Sequence, residues 1–309
     1  MNIVFMGTPD FAVPSLKALI DEFGVKAVYT QPDRPKGRGK KLSITPVKEL
    51  ALEHNIEVFQ PESLRKEPEA VAKLKEMKPD FIIVVAFGQI LPKEVLEIPK
   101  YACINLHGSL LPKYRGAAPI QWSVINGEKF AGNTTMLMDV GLDTGDMLLT
   151  NKVEITRFMT ASDLYEELKG SGAGLLVETI NKMIKNEITP IKQNDDESTY
   201  ASMLNKEMAK IDWSKSAQEI HNHIRGLNSW PMATTSLGDK VIKIHESDYI
   251  EENSDAAAGT IIEASKIGIQ VATGNGILII KKLQMPNAKP LKVQDFLNGN
   301  TIELNTKLV

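Results

Sequence analysis

The chain has 309 residues, 42% of them hydrophobic and 24% charged, with a formal net charge of −3. This is the composition of a globular protein, at a length that suits roughly two domains. A single cysteine, Cys103, excludes an internal disulfide and a cysteine-based zinc cluster, and the slight acidity excludes a generally basic nucleic-acid binder. The opening residues lack a basic stretch followed by an apolar run, and no window reaches about 18 consecutive apolar residues. A cytoplasmic chain with no membrane association is therefore expected.

Short apolar runs at Ile3–Met6, Ala27–Thr30, Val58–Gln60, Phe81–Ala86 and Cys103–Leu106 read as strands. Between them, Phe11–Glu22, Pro46–His54 and Glu67–Met77 carry apolar residues at three- and four-residue spacing and read as helices. This alternation predicts an α/β fold with a Rossmann-like, mostly parallel sheet. Phe81-Ile82-Ile83-Val84-Val85-Ala86 is apolar on both faces, as a central strand covered on each side must be. Cys103 falls in such a run and is expected to be a buried small hydrophobe.

Two further strands, Asn133–Asp139 and Asp146–Val153, flank a polar turn, after which Thr160 and Asp163 form a capping box for a helix to about Ile184. Periodicity then fades. Residues 186–212 are expected to link a first domain, 1–185, to a second, 213–309. The second opens with a helical pattern at Ala217–Gly226. Five β-rich runs follow, at Met232–Leu237, Lys240–Glu246, Gly259–Ala264, Gly268–Ala272 and Gly276–Leu283, and predict a small β-barrel of the oligonucleotide-binding kind.

Chemistry-bearing residues gather around the predicted strand ends, where open α/β sheets place ligands. Asn105 and His107 alternate with Leu106, so an amide and an imidazole project to one side and can stabilise an oxyanion. The same pair also fits a turn cap and a structural histidine. Asp143, with glycines two residues away on either side, can orient a histidine and relay a proton, though an aspartate in that setting also simply forms turns. Gly7-Thr8-Pro9-Asp10 follows the first strand but lacks the later glycines of a dinucleotide site. It can face an anionic substrate end or serve only as a strand-to-helix turn. Arg34, Lys36, Arg38, Lys40 and Lys41 form a cationic loop without an acid, suited to phosphate contact or simply to solvation. No metal site is expected.

Taken jointly, Gly7–Ala12, Gln31–Gly39, Asn105–Pro119 and Asp139–Asp146 closely resemble the bacterial methionyl-tRNA formyltransferases, and the likeness continues through Lys210–Trp213 and Asn228–Met232. The one departure is Ser229, where that family is expected to carry proline. The resemblance implies 10-formyltetrahydrofolate as formyl donor and the α-amino group of methionyl initiator tRNA as acceptor, in translation initiation. It maps the transfer triad onto Asn105, His107 and Asp143 and the folate-contacting stretch onto Ser109, Leu110, Leu111 and Pro112. It also maps tRNA contact onto the cationic loop, with Arg38 at the acceptor arm. A monomer is expected. Two alternatives use the same features: formylation of an amino sugar or a nucleotide amine, and a non-catalytic RNA-binding protein.

Overall fold

The computed structural model describes residues 1–36 and 41–309. The chain divides into two compact units. Unit one comprises Met1–Gly116, Ala131–Val153 and Tyr165–Ala201; unit two comprises Ala117–Phe130, Glu154–Leu164 and Ser202–Val309. The chain thus passes between units more than once, and the first part of the stretch read as a linker, 186–201, packs within unit one.

In chain order the elements to the end of unit one are β1 (Ile3–Gly7), α1 (Val13–Phe23), β2 (Ala27–Tyr29), β3 (Arg34–Lys36), β4 (Lys41–Ser43), α2 (Pro46–Glu53) and β5 (Glu57–Phe59). There follow α3 (Pro68–Glu76), β6 (Phe81–Val85), α4 (Lys93–Leu96), β7 (Ala102–His107), β8 (Arg115–Gly116), α5 (Pro119–Ile125), β9 (Phe130–Leu137), β10 (Met147–Glu154), α6 (Ala161–Ile184) and β11 (Tyr200–Ala201). Of these, α5 belongs to unit two.

Seven strands make one sheet in the order β10-β9-β7-β6-β1-β2-β5. β1, β2, β5, β6 and β7 are parallel, whereas β9 runs antiparallel to β7. The expected Rossmann-like sheet is present. Its centre is β6, where every residue from Phe81 to Val85 is buried, because helices cover both faces of a doubly wound sheet. Cys103 is 4% exposed, and burial pushes its thiol up to about 12, so it packs as the expected small hydrophobe. The capping box holds too: the Thr160 N–H donates to Asp163 at 2.9 Å and the Asp163 N–H to Thr160 Oγ1 at 3.2 Å.

Unit two adds α7 (Ala217–Gly226), β12 (Ala233–Leu237), β13 (Lys240–Ile250), β14 (Ile261–Ser265), β15 (Gly268–Ala272), β16 (Ile277–Gln284), β17 (Leu291–Lys292) and α8 (Val293–Phe296). Its antiparallel sheet runs β12-β13-β16-β15-β14, with β17 beside β16. Register shifts around Glu246 bend β13, as bulges do. The C-terminal tail then bridges the two edge strands. Ser236 and Val309 exchange backbone hydrogen bonds at 2.8 and 3.2 Å, and the Ile261 N–H donates to Thr306 at 2.9 Å. Satisfying both edges in this way gives the expected barrel-like unit and removes templates for unwanted pairing. Leu308, 2% exposed, plugs the core beside Trp213 and Ile261. Leu308→Ala is expected to cost about 2–5 kcal/mol, read as a lower denaturation midpoint of the full chain; an unchanged midpoint would remove the tail from the core.

His221 on α7 is 1% exposed. Its Nε2–H donates to the Arg157 carbonyl at 2.8 Å, since a carbonyl only accepts, and its Nδ1 then accepts from the Ser247 hydroxyl at 2.9 Å. Burial lowers its pKa to about 4, and the nearby Arg225 and Arg157 guanidiniums add to that, against the Arg157 carbonyl and Asp248. Because the folded-state value lies below the ordinary histidine value, stability is full above about pH 6.5 and is lost as pH falls toward 4. The loss attributable to His221 between pH 7.5 and 5 is about 2 kcal/mol. Denaturation of wild type and His221→Gln at the two pH values checks this, and the substitution should flatten the dependence. A cavity of about 420 Å³ adjoins this histidine, lined also by Phe158, Arg225, His245 and Lys281. The Arg225 guanidinium donates through its two Nη groups to the Thr156 and Met159 carbonyls and to Asn222 Oδ1, while its buried Nε has no partner among the described residues.

Candidate active site

The carboxyl ends of β1, β2, β6 and β7 bring Gly7, Thr30, Val85 and His107 to one edge of the sheet. Side chains tie these ends together. Thr8 Oγ1 donates to the Phe87 carbonyl at 2.9 Å and accepts from the Gln31 N–H at 3.3 Å. At Gly7 a Cβ would approach Phe5 Cε1 to 2.7 Å and Ala12 Cβ to 2.9 Å, so close packing, not an open phosphate turn, requires glycine there. Asp10 accepts from the Tyr165 hydroxyl at 2.8 Å and the Lys169 ammonium at 3.1 Å. Burial works against the charge on Asp10, but these partners outweigh it and hold its pKa below the usual carboxylate range. A carboxylate at this turn disfavours the anion contact that the sequence left open.

Asn105 and His107 share a side of β7, as the period-two alternation predicts. Asn105 is 9% exposed, and its side-chain amide has no hydrogen-bond partner among the described residues. The amide atoms are not among the enclosed side-chain groups that lack a partner, so they face outward from the strand end and are open to hydrogen bonding. His107 is 6% exposed, and its Nε2 meets the Tyr114 carbonyl at 2.8 Å. That carbonyl accepts only, so Nε2 carries hydrogen and Nδ1 is turned toward Asp143 Oδ2, 3.7 Å away. The gap is too long for a hydrogen bond. It leaves Nδ1 open to a bound group while a carboxylate stands beside it.

Asp143 arrives by an indirect route. Because β9 is antiparallel to β7, it ends beside Cys103, where the Met138 N–H donates to the Cys103 carbonyl at 2.9 Å. The 139–146 loop must therefore fold back along the sheet to bring Asp143 to His107. Asp139 Oδ1 organises the turn by accepting from the Gly141 N–H at 3.0 Å and Thr144 Oγ1 at 2.7 Å. At Gly145 a Cβ would collide with the Leu137 carbonyl. Asp143 itself sits at φ +54°, a left-handed conformation that aspartate tolerates better than most residues. Its Oδ2 accepts from the Gly116 N–H at 2.9 Å, while Oδ1 has no donor among the described residues.

Of the four residues matched to a folate-contacting stretch, Ser109 and Leu111 are buried at 1% and 6% exposure. Ser109 Oγ donates to the Lys113 carbonyl at 2.7 Å, and the Leu111 N–H donates to Thr134 Oγ1 at 3.2 Å. Leu110 and Pro112 are partly exposed and carry the apolar surface that a flat ring can reach. In the cationic segment, Arg34–Lys36 and Lys41–Ser43 pair as an antiparallel hairpin rather than a plain loop, and Arg34 is exposed. Arg38 and Lys40 lie outside the described residues. At the root of the hairpin Lys48 is bound to Asp33 at 2.5 Å and holds its carboxyl below the usual range, so this lysine is neutralised. No three His, Cys, Asp or Glu side chains form a metal-ligating group among the described residues, and none of the described helices is long and apolar enough to cross a membrane.

The sequence did not point to the Tyr114 carbonyl, the Gly116 N–H or the Gln193 side chain. Gln193, 5% exposed, donates through Nε2 to the Asp143 and Gly145 carbonyls at 2.8 and 2.7 Å. These are backbone groups or a lone amide in an aperiodic stretch, and neither kind leaves a signal in a residue pattern.

Residues 1–180 match the family model "Formyl transferase", and residues 203–301 match "Formyl transferase, C-terminal domain". The chain is 66% identical over 308 residues to a methionyl-tRNA formyltransferase of Clostridium novyi, with 100% of each covered. It is 52% identical over 304 residues to one of Clostridioides difficile, with 98% of each covered. Among solved structures, an N-formyltransferase from Helicobacter canadensis, described in complex with folinic acid and dTDP-3-aminofucose, superposes with a TM-score of 0.70 at 24% identity, covering 92% of this chain and 98% of that one. At that identity it speaks to the fold.

Proposed function

The chain belongs to the formyl transferase family, and from that premise we propose that it transfers the formyl group of 10-formyltetrahydrofolate to the α-amino group of methionyl initiator tRNA, with Asn105, His107 and Asp143 as the reacting set. The observation that carries the reading is the Asn105 amide, with no hydrogen-bond partner among the described residues, on the same strand side as His107, whose Nδ1 faces Asp143. The bound donor supplies an electrophilic formyl carbon, and attack by an amine places negative charge on the formyl oxygen.

Asn105 directs an amide N–H at that oxygen, and His107 offers Nδ1–H to it. The Tyr114 carbonyl fixes the imidazole ring through Nε2. Asp143 balances positive charge on the ring and receives the amine proton at Oδ1, directly or through a water; the bond from the formyl carbon to the donor nitrogen then breaks, and that nitrogen takes up a proton as the deformylated folate leaves. Its Oδ2, bound to the Gly116 N–H, keeps the carboxylate from rotating away. Leu110 and Pro112 offer apolar surface to the pterin, while Ser109 and Leu111 hold the backbone of that stretch in place.

The cationic segment of Arg34, Lys36, Arg38, Lys40 and Lys41 contacts tRNA phosphate, and the barrel-like unit adds surface that a small amine would not need. The enzyme acts in the cytoplasm as a monomer. Arg34→Ala is expected to weaken tRNA use and reduce the salt slope of binding by about 1, leaving folate binding intact; an unchanged slope places the phosphate contact elsewhere. The reading as a whole is tested by a formyl-transfer assay with labelled donor and three acceptors. Charged initiator tRNA should be formylated, whereas a sugar-nucleotide amine or glycinamide ribonucleotide as the preferred acceptor would overturn it.

A further inference from the structure

The segment after α6 is fastened beside the Asp143 loop at two places. Met147 and Ile191 exchange backbone hydrogen bonds, each at 2.8 Å, and β11 pairs with β8 so that Tyr200 lies opposite Arg115 and Ala201 opposite Gly116. Between these points Gln193 turns inward. Both carbonyls it binds belong to the Asp143 loop. Its Oε1 accepts from Arg115 Nε at 3.0 Å, and Arg115 Nη2 is in turn held by Asp195 at 2.8 Å.

The arginine can only donate, so it fixes which end of the Gln193 amide points where: oxygen to Arg115, nitrogen to the loop. The two carbonyls lie on either side of Thr144 and so clamp the backbone that carries the left-handed φ of Asp143. The next residue after Arg115, Gly116, donates to the Asp143 carboxylate itself. One short stretch, Arg115-Gly116, therefore grips Asp143 twice, once directly and once through Gln193. A loop that must fold back from Cys103 to reach His107 needs such a grip, because neither strand end aims it there.

We infer that Gln193, oriented by Arg115, is a positioning residue for formyl transfer, holding the Asp143 backbone so that its carboxylate faces His107. The inference rests on the proposed role of Asp143, and its test separates the two. Single-turnover rates are measured for Gln193→Met, which keeps the volume and loses the bonds, and for Gln193→Glu, which keeps a partner for Arg115 and loses the two donations. Each substitution is made in the wild type and in an Asp143→Asn background, with the unfolding midpoint recorded alongside.

Displacement of a reacting group by about 1 Å can cost up to about a hundredfold. Both variants are therefore expected to lower the rate of transfer by about ten- to a hundredfold, with KM for tRNA and for the formyl donor within about twofold. In the Asp143→Asn background the same substitutions should change the rate by less than about twofold, because the group they position is already disabled. A full loss that persists there, with or without a lower unfolding midpoint, makes Gln193 merely structural and overturns the inference. Normal rates in both variants do the same. Normal turnover of Asp143→Asn alone would instead sink the proposed triad, and with it any positioning role.

Discussion

Asp143→Asn is expected to lower kcat by about two orders of magnitude or more, with little change in KM for either substrate and an unchanged unfolding midpoint. The substitution keeps the size of the side chain and an oxygen able to accept from the Gly116 N–H, so the loop has no reason to move. It removes the charge that stands 3.7 Å from His107 Nδ1 and the carboxylate proposed to take the amine proton. Near-normal turnover would show that the proton leaves by another path. A raised KM with normal kcat would assign Asp143 to binding instead.

Asn105→Ala is the second large effect, expected to lower kcat by about 10²–10³-fold. Here the expected signature includes stability. Because the amide has no partner among the described residues, deleting it breaks no internal hydrogen bond and leaves only a small void. The variant should therefore be as stable as wild type to within about 1 kcal/mol, an unusual result for a residue that is 9% exposed in a central sheet. A large stability loss with kcat preserved would mean that Asn105 serves the fold.

Both residues stood out in the sequence as candidates, for different reasons. The shared side of Asn105 and His107 follows from strand periodicity alone, since alternation puts them on one side of β7 wherever that strand pairs, whereas their assignment to the reaction needed the resemblance. Phe81–Val85 declared itself as the sheet centre through apolar residues on both faces, and Thr160 with Asp163 declared a helix start through a local bond. Asp143 could be chosen only as a carboxylate in a glycine-rich turn; its approach to His107 depends on the antiparallel β9, whose polarity no local pattern reveals.

What the sequence concealed is tertiary in the same sense. Gln193 stands in a stretch with no periodicity and acts on carbonyls about 50 residues earlier, so it was read as linker. Leu111 and Leu110 are equal as letters, yet the hydrogen bond from the Leu111 N–H to Thr134 turns one into the core and leaves the other partly exposed. The tail at Thr306–Val309 has no alternation long enough to read as a strand, and only two open sheet edges give it a place. The ends of the cationic segment were expected as loop because proline and glycine dominate it, but cross-strand bonds pair Arg34 with Ser43 and Lys36 with Lys41.

The unity of the imidazole and the carboxylate is tested most directly by coupling them. Single-turnover formylation of charged initiator tRNA is measured for His107→Gln, Asp143→Asn and the double variant. If the two act on one oxyanion and one proton, the double variant is about as slow as the slower single one, because residues that work as a unit cannot be lost twice. Losses that multiply in the double variant would mean that His107 and Asp143 serve separate steps, and would contradict the shared site at the centre of this account.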